Sequence, residues 1–415
     1  MWTNIEIEQL SVFNQIGMVL ANRVFEAKHA TARDDMMVVF VTHSFDTSIP
    51  SIYSVEKICG KENLLIVLKN SSQKKDFVGS LKEQGYQVSH LKKKDFRKEP
   101  LTIVKTLLAE MEKRGKKKIL MLDHGGYLSY HPDQYSTLPL AGIVEYALNG
   151  DKKYKPLLRE GKIKANYASI GSADSKKFPD FACGKLIGEI AATVAREVHT
   201  FGMHHRDMMQ FGLIGYGRLG SKAARTLATN GAHNLMVYDA NPARMVEALQ
   251  EGFNIRPKSV ADIARHCNLI IVGTDTAPIK PEMYELMRDN TTIFTVTSAD
   301  DSLDLENLIK NGVLRKEAEI ERVTCYRSRT GKRINLAFNG EAPNLSSVVS
   351  IDDPTLFVPF VLHGIVGHMV ASGHRVHIRE MKDLETLVLA KFLDAYRDVM
   401  DKEMAKIEAV AGKHL

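Results

Sequence analysis

The chain's 415 residues, 44% hydrophobic and 26% charged, are too many for one compact core and match ordinary soluble usage. Two folded domains are therefore expected, and extensive disorder is excluded. The net charge of +6 lies in short scattered lysine groups, residues 92–94 and 116–118 among them, without interleaved aromatics; this is the pattern of a solvated surface, and no nucleic-acid partner is expected.

Cys59, Cys183, Cys267 and Cys325 form no CxxC pair, so neither a zinc knuckle nor a disulfide framework is expected. Residues 1–15 hold acids and no long apolar run, and no apolar stretch is expected to reach the roughly 18 residues of a membrane span. A cytoplasmic protein with reduced thiols follows.

In chain order, "MMVVFVTH" (36–43), "NLLIVLK" (63–69) and "KKILMLD" (117–123) are short apolar runs ending in polar residues, while 74–84 and 101–114 carry helical spacing. That alternation predicts a parallel sheet flanked by helices, with ligands gathering at the strands' carboxyl ends, where His43 and Asp123 fall. A long helix is predicted from Gly184, leading into a strand before a glycine motif. A second alternating series follows, with strands at 234–239, 268–274, 291–297 and within 319–340. After Pro354 the chain turns helical, and 380–410 reads as an amphipathic helix with Leu384, Leu387, Phe392, Leu393 and Val399 on its apolar positions.

The central motif is "GLIGYGRLGSKAARTL" (212–227). An apolar strand precedes it, a helix follows, and a second strand ends in Asp239 about twenty residues on, which is the context that makes GxGxxG informative. Gly215 permits the tight turn, Gly217 lets backbone amides approach a pyrophosphate, and Gly220 brings helix against strand. Asp239 would accept hydrogen bonds from adenosine ribose hydroxyls and repel a 2′-phosphate, so NAD is favoured over NADP. Arg218, Leu219 and Thr274 complete the cofactor loop on this side, and Asn344 is placed with them.

Beyond this motif the chain resembles S-adenosylhomocysteine hydrolase. "VYDANP" (237–242) is similar to that family's acidic strand end. The stretch 305–345, "LENLIKNGVLRKEAEIERVTCYRSRTGKRINLAFNGEAPNL", resembles the tail of its cofactor domain, with a Y-R-x-x-x-G-K-R-I hairpin and an "EAPNL" connection. Upstream, "LDHGGYLS" (122–129) resembles "LDDGGDLT", and "GIVEYALNG" (142–150) resembles "GISEETTTG". The resemblance implies tightly held NAD, oxidation of a ribose 3′-hydroxyl, elimination of a thiol from C5′, addition of water and return of the hydride. Such chemistry needs proton-transfer groups and a water-excluding site. His43 suits the acid/base role near C5′. Lys176 or Lys177, in "SADSKKFPD", lies at the family's catalytic lysine, with the register open by one residue.

Other positions depart from the family. His124 and Tyr127 stand where it has aspartates, and Tyr146 where it has a glutamate, with Glu145 beside it. Ala147, Leu148 and Asn149 replace three threonines, Ser298 replaces a histidine, and 352–356 replaces its "GHPSF" motif. Each missing ribose partner costs roughly 1–3 kcal/mol. The chain's "AVAGKHL" ending lacks the family's lysine–tyrosine tail, so weaker NAD retention is expected.

The expectation is therefore an α/β protein of two domains: an NAD-binding Rossmann-type domain (184–345) inserted in a substrate domain (1–183 and 346–415) that ends in a helical segment. Hydride abstraction from a secondary alcohol of a nucleoside-like small molecule is expected, through His43, Asp123 and Lys176 or Lys177. Low-efficiency S-adenosylhomocysteine hydrolysis and a catalytically silent NAD-binding homologue remain as alternatives. A homo-oligomer is expected; no metal is, since His363 and His368 lack the i, i+4 spacing of helical ligands.

Overall fold

The computed structural model describes residues 10–69, 75–198, 209–274, 276–296, 302–320, 323–340, 342–343 and 353–411. The chain divides into two compact units, Met1–Phe178 with Asp352–Leu415, and Pro179–Ile351.

In the first unit, six parallel strands lie in the order β3-β2-β1-β4-β5-β6: β1 Met36–Thr42, β2 Leu64–Leu68, β3 Gln87–Ser89, β4 Lys118–Asp123, β5 Leu140–Glu145 and β6 Asn166–Ser169. β1 and β2 are buried at every position, which is why they read as unbroken apolar runs rather than alternating ones: both faces of the sheet are covered. β3 and β6 are short and partly exposed, so they carry no such run, and β5 opens on half-buried residues.

On one face Val38, Phe40, Leu120, Leu122 and Val144 pack with Phe357, Val361, Leu362, Ile365 and Val366 of the helix Phe357–Ala371. The helices Val12–Ala27 and Ile49–Cys59 and the long helix Ile378–Ala411 complete that layer. The other face packs Val39, Met121 and Ile143 against Phe96, Ile103, Leu107 and Tyr154.

The helix Phe357–Ala371 corrects one expectation. The 18 residues Pro354–Ala371 have a mean hydropathy of 1.5, long and apolar enough to cross a membrane by length and composition, yet 72% of that window is buried inside the unit. It is apolar on all sides because protein covers it on all sides. Its glycines set the packing distance: a Cβ at Gly364 would meet Ser54 Oγ at 2.7 Å, and one at Gly367 would meet Leu122 Cδ2 at 2.8 Å.

The second unit carries a seven-stranded sheet in the order β11-β12-β13-β10-β9-β7-β8. β7 Phe211–Ile214, β8 Leu235–Tyr238, β9 Leu269–Val272 and β10 Thr291–Thr295 are parallel, and β10 also pairs in parallel with β13 Arg333–Ala337. β11 Leu314–Ile320 and β12 Val323–Ser328 extend it as an antiparallel meander. The long helix predicted from Gly184 begins at Lys177 and runs to Val198. Gly184 is no start signal: a Cβ there would lie 2.6 Å from the Leu219 carbonyl oxygen, so the glycine lets this helix lie against the helix Arg218–Thr229. The two compact units divide at 178/179 and 351/352.

Candidate functional site

In each sheet a candidate group of residues lies at a place where the order of parallel strands reverses. In the second unit β7 stands between β8 and β9. Gly215, just after β7, has φ +98 and donates its N–H to Tyr238 O at 2.8 Å; only glycine holds that left-handed turn without strain. A Cβ on Gly220 would lie 2.1 Å from Gly215 O, and one on Gly273, after β9, 2.6 Å from the same oxygen. Gly217 differs: nothing lies within 4 Å of where its Cβ would point. It caps the helix Arg218–Thr229 with no side-chain hydrogen bond, so first-turn amides border open space, the arrangement that receives a pyrophosphate.

Asp239 follows β8, its carboxylate accepting from Tyr216 N at 2.6 Å and Asn241 N at 2.7 Å. That fixes the carboxylate at the rim of the glycine turn, where ribose hydroxyls would meet it. Arg218 pairs with Asp180 at 3.5 Å, and Leu219 packs half-buried against the unit's core. The Thr274 hydroxyl shares a 3.0 Å hydrogen bond with Thr276 Oγ1. Asn344, Ser298 and Asp352 lie outside the described residues. The open cradle and the placed carboxylate fit NAD.

In the first unit the reversal falls between β1 and β4, and His43 and His124 immediately follow those two strands. Their rings meet edge to face at 5.0 Å, and His124 contacts Tyr146, which follows β5, at 4.7 Å. Tyr146 in turn meets His363 at 5.4 Å and Phe360 at 5.5 Å, both from the helix Phe357–Ala371. Phe45 stacks on His43 at 5.7 Å. Lys176, only 8% exposed, ends a short turn and holds its Nζ 4.0 Å from the Tyr146 ring centroid, a cation–π contact.

Burial pushes the pKa of His43 and His124 well below its ordinary value, helped by the charges of Lys69 and Lys176. His363 falls to about 4 for the same first reason, although its Nε2–H donates to Val144 O at 3.0 Å. All three imidazoles are neutral at pH 7.

Asp123 does not join them. It is fully buried, Oδ1 accepting from His124 N at 2.7 Å and Oδ2 from Tyr127 N at 2.7 Å, with the Tyr154 hydroxyl donating to Oδ2 as well. Its carboxylate is engaged in folding the Gly125–Gly126 loop, and it is the neighbouring His124 whose ring meets His43. Glu145, opposite Asp123 in the β4–β5 register, accepts from Gly125 N at 3.0 Å, Gly126 N at 2.9 Å and Ala147 N at 2.6 Å. Burial and the Asp123 charge push its pKa up to about 8.

Of the two adjacent lysines, Lys176 holds its Nζ over the Tyr146 ring, while Lys177 is exposed, its Nζ 5.5 Å from the Phe178 ring. His124, Tyr146, Lys69 and His363 were not among the expected catalytic residues. The signal for the first two was positional, directly after a strand; His363 showed only as a polar residue in an apolar run.

Residues 207–350 match the family model of the S-adenosyl-L-homocysteine hydrolase NAD-binding domain. Curated relatives include the S-inosyl-L-homocysteine hydrolase of Methanopyrus kandleri, 26% identical over 232 residues that cover 56% of this chain and 53% of that one. The adenosylhomocysteinase of Nostoc is 24% identical over 219 residues, 52% of this chain and 48% of its own. The chain thus spans about half the length of the curated relatives it matches. Among solved structures, a dipicolinate synthase chain from Bacillus halodurans aligns over 82% of this chain and 99% of its own, at 11% identity and a TM-score of 0.39.

Fold and glycine loop together define a protein with a Rossmann-type NAD-binding domain, and its cofactor is NAD. Residues 207–350 of the chain are thus similar to the NAD-binding domain of S-adenosyl-L-homocysteine hydrolase.

Proposed function

We propose that this protein is an NAD-dependent enzyme that draws hydride from a secondary alcohol of a nucleoside-like or related small molecule. The observation that carries the reading is the convergence of His43, His124, Tyr146 and Lys176 at the strand-order reversal of the first unit, the place where open α/β sheets bind ligands. NAD, when bound, supplies the hydride acceptor.

The chain's own groups supply the rest. Lys176 Nζ, steadied over Tyr146, is the candidate to take the proton of the reacting hydroxyl. His43 and His124 are unprotonated at neutral pH and each offers a ring nitrogen to accept a proton near the adjacent carbon. Phe45 and Phe360 wall this group with apolar surface, which limits water at the reacting atoms. Asp123 and Glu145 act as positioning residues, since they fix the loop that carries His124. S-adenosylhomocysteine itself is a poor substrate in this reading: Asp123 and Glu145 are engaged with loop amides, and Tyr146 is a phenol where ribose hydroxyls would seek a carboxylate. The reading extends to a cytoplasmic homo-oligomer, which sedimentation of the purified protein would check.

The test is to incubate the purified protein with S-adenosylhomocysteine, adenosine and related nucleosides, denature it, and score the released nucleotide. A substrate converts bound NAD to NADH, and Lys176→Met abolishes the conversion while retaining NAD. Nucleotide that stays oxidised across the panel overturns the reading in favour of a silent NAD-binding homologue.

A further inference from the structure

The chain leaves β13 through a left-handed turn. Phe338, Asn339 and Gly340 follow one another with φ +52, +54 and +79, and Asn339 has ψ 31. Glycine takes this conformation freely and asparagine at small cost, but for a bulky aromatic residue it is an outlier. Three such residues in a row reverse the hand in which L-residues prefer to wind. Strain of this kind persists only where the surroundings hold it in place.

Here it is held from three sides. The half-buried Phe338 ring packs against the core that contains Phe294 and Val323. The Asn339 side-chain oxygen accepts from the Tyr326 hydroxyl at 2.8 Å, and Tyr326 belongs to the core on the opposite face of the sheet. The Gly340 carbonyl accepts from the hydroxyl of Thr295, the last residue of β10.

The place of the turn gives that strain a use. The sheet runs β8-β7-β9-β10-β13 with these strands parallel, so Asp239, Gly215, Gly273 and the Phe338–Gly340 turn all follow strands at the same edge. A dinucleotide lies across such an edge with one mononucleotide on each side of the strand-order reversal. Asp239 marks the adenosine side, beyond β8; the nicotinamide half then falls on the side of β9, β10 and β13, where the left-handed turn stands. We infer that the Phe338–Gly340 turn positions the nicotinamide end of NAD, with Asn339 and its hydrogen-bond partner Tyr326 as positioning residues. Backbone already fixed in an uncommon conformation needs no ordering when the ring docks, so the cost of that order is met in folding and not in binding. The inference rests on NAD as the cofactor and is independent of which alcohol is oxidised.

The experiment titrates the full chain by calorimetry, after removal of bound nucleotide, with NAD and with ADP-ribose, which has the same adenosine and pyrophosphate but no nicotinamide. Asn339→Val opposes the turn, because a β-branched residue does not tolerate left-handed backbone. Asn339→Gly and Tyr326→Phe both permit the turn and remove the same hydrogen bond. The valine variant should bind NAD about tenfold more weakly and ADP-ribose within about twofold of wild type. The glycine and phenylalanine variants should each lose only about threefold for NAD, with ADP-ribose again unchanged and the thermal midpoint near that of wild type.

If the valine variant does not fold, the other two still decide. Equal weakening of both ligands, or no weakening of either, makes the turn a purely structural feature and overturns the inference. A glycine variant as weak for NAD as the valine one overturns the role of the turn's hand. Wild-type protein that binds ADP-ribose as tightly as NAD overturns it too, since nicotinamide then gains nothing at this edge. Turnover enters none of these readings, so NAD that stays oxidised with every nucleoside leaves the result standing.

Discussion

The two places where strand order reverses solve the same problem with opposite materials. In the second unit backbone makes the site: Gly215, Gly217 and Gly273 strip away side chains, and helix amides stay exposed to a ligand. In the first unit the loop amides after β4 are already satisfied by Asp123 and Glu145, and side chains make the proposed site instead. A backbone site tolerates change around it but no added atom at its glycines. A side-chain site keeps its scaffold while the chemistry of its few residues drifts.

Breaking the buried scaffold should have the largest effect. Glu145→Ala leaves two buried amides and one half-buried amide without acceptors; at roughly 1–3 kcal/mol for each buried orphaned donor, a loss of about 2 kcal/mol or more is expected. Urea denaturation should show the first unit unfolding early while the protein still retains NAD.

Acid separates the units next. The folded pKa of His363, about 4, is below the ordinary 6.5. The unfolded chain therefore binds the extra proton, so stability present above pH 6.5 is lost as pH falls towards 4, by roughly 3 kcal/mol at about 1.4 kcal/mol per unit. Glu145 has the opposite sign: its pKa of about 8, above the ordinary 4.5, removes stability as pH rises from 4.5 through 8. Comparing the urea midpoints of wild type and His363→Gln at pH 7 and pH 4.5 isolates the histidine. An equal acid loss in both proteins would contradict it.

Gly217→Ala sharpens the comparison most cleanly. Its Cβ meets nothing in the protein, so the thermal midpoint should stay within a degree or two, yet NAD affinity should fall about tenfold, roughly 1.4 kcal/mol, because the methyl occupies the pyrophosphate's approach. Unchanged affinity by calorimetry would mean that the loop does not bind its ligand through this face. The smallest effect belongs to Lys177→Ala: an exposed lysine should cost under about 0.5 kcal/mol and leave bound-nucleotide reduction unchanged, in contrast to Lys176→Met.

The same difference of material explains what could be read before the fold was known. Glycines in a strand–turn–helix context carry their geometry in their spacing, so Gly215, Gly217, Gly220 and Asp239 were legible directly. His43 was legible as a residue after a buried strand. Lys176 was not separable from Lys177, because the choice depends on the turn Asp174–Lys176 that precedes the helix.

Asp123 misled because strand-end carboxylates serve ligands and turns alike, and only the positions of His124 N, Tyr127 N and Tyr154 decide between them. β3 and β6 escaped notice because they are short and only partly buried, and His363 because its partner is a backbone carbonyl on β5.

The helix Phe357–Ala371 has a consequence for how the protein is made. It covers the sheet of the first unit, yet all of Pro179–Ile351 is synthesised between the sixth strand and this helix. At about 5–20 residues per second, the ribosome spends roughly 10–35 s on that stretch, while Val38, Phe40, Leu120, Leu122 and Val144 await their cover. The inserted unit, continuous in the chain, can close first, and the unit that begins the protein is the last to be finished. The nascent chain therefore carries an open apolar sheet while the whole inserted unit is made, an interval in which chaperones would act and truncated products would aggregate.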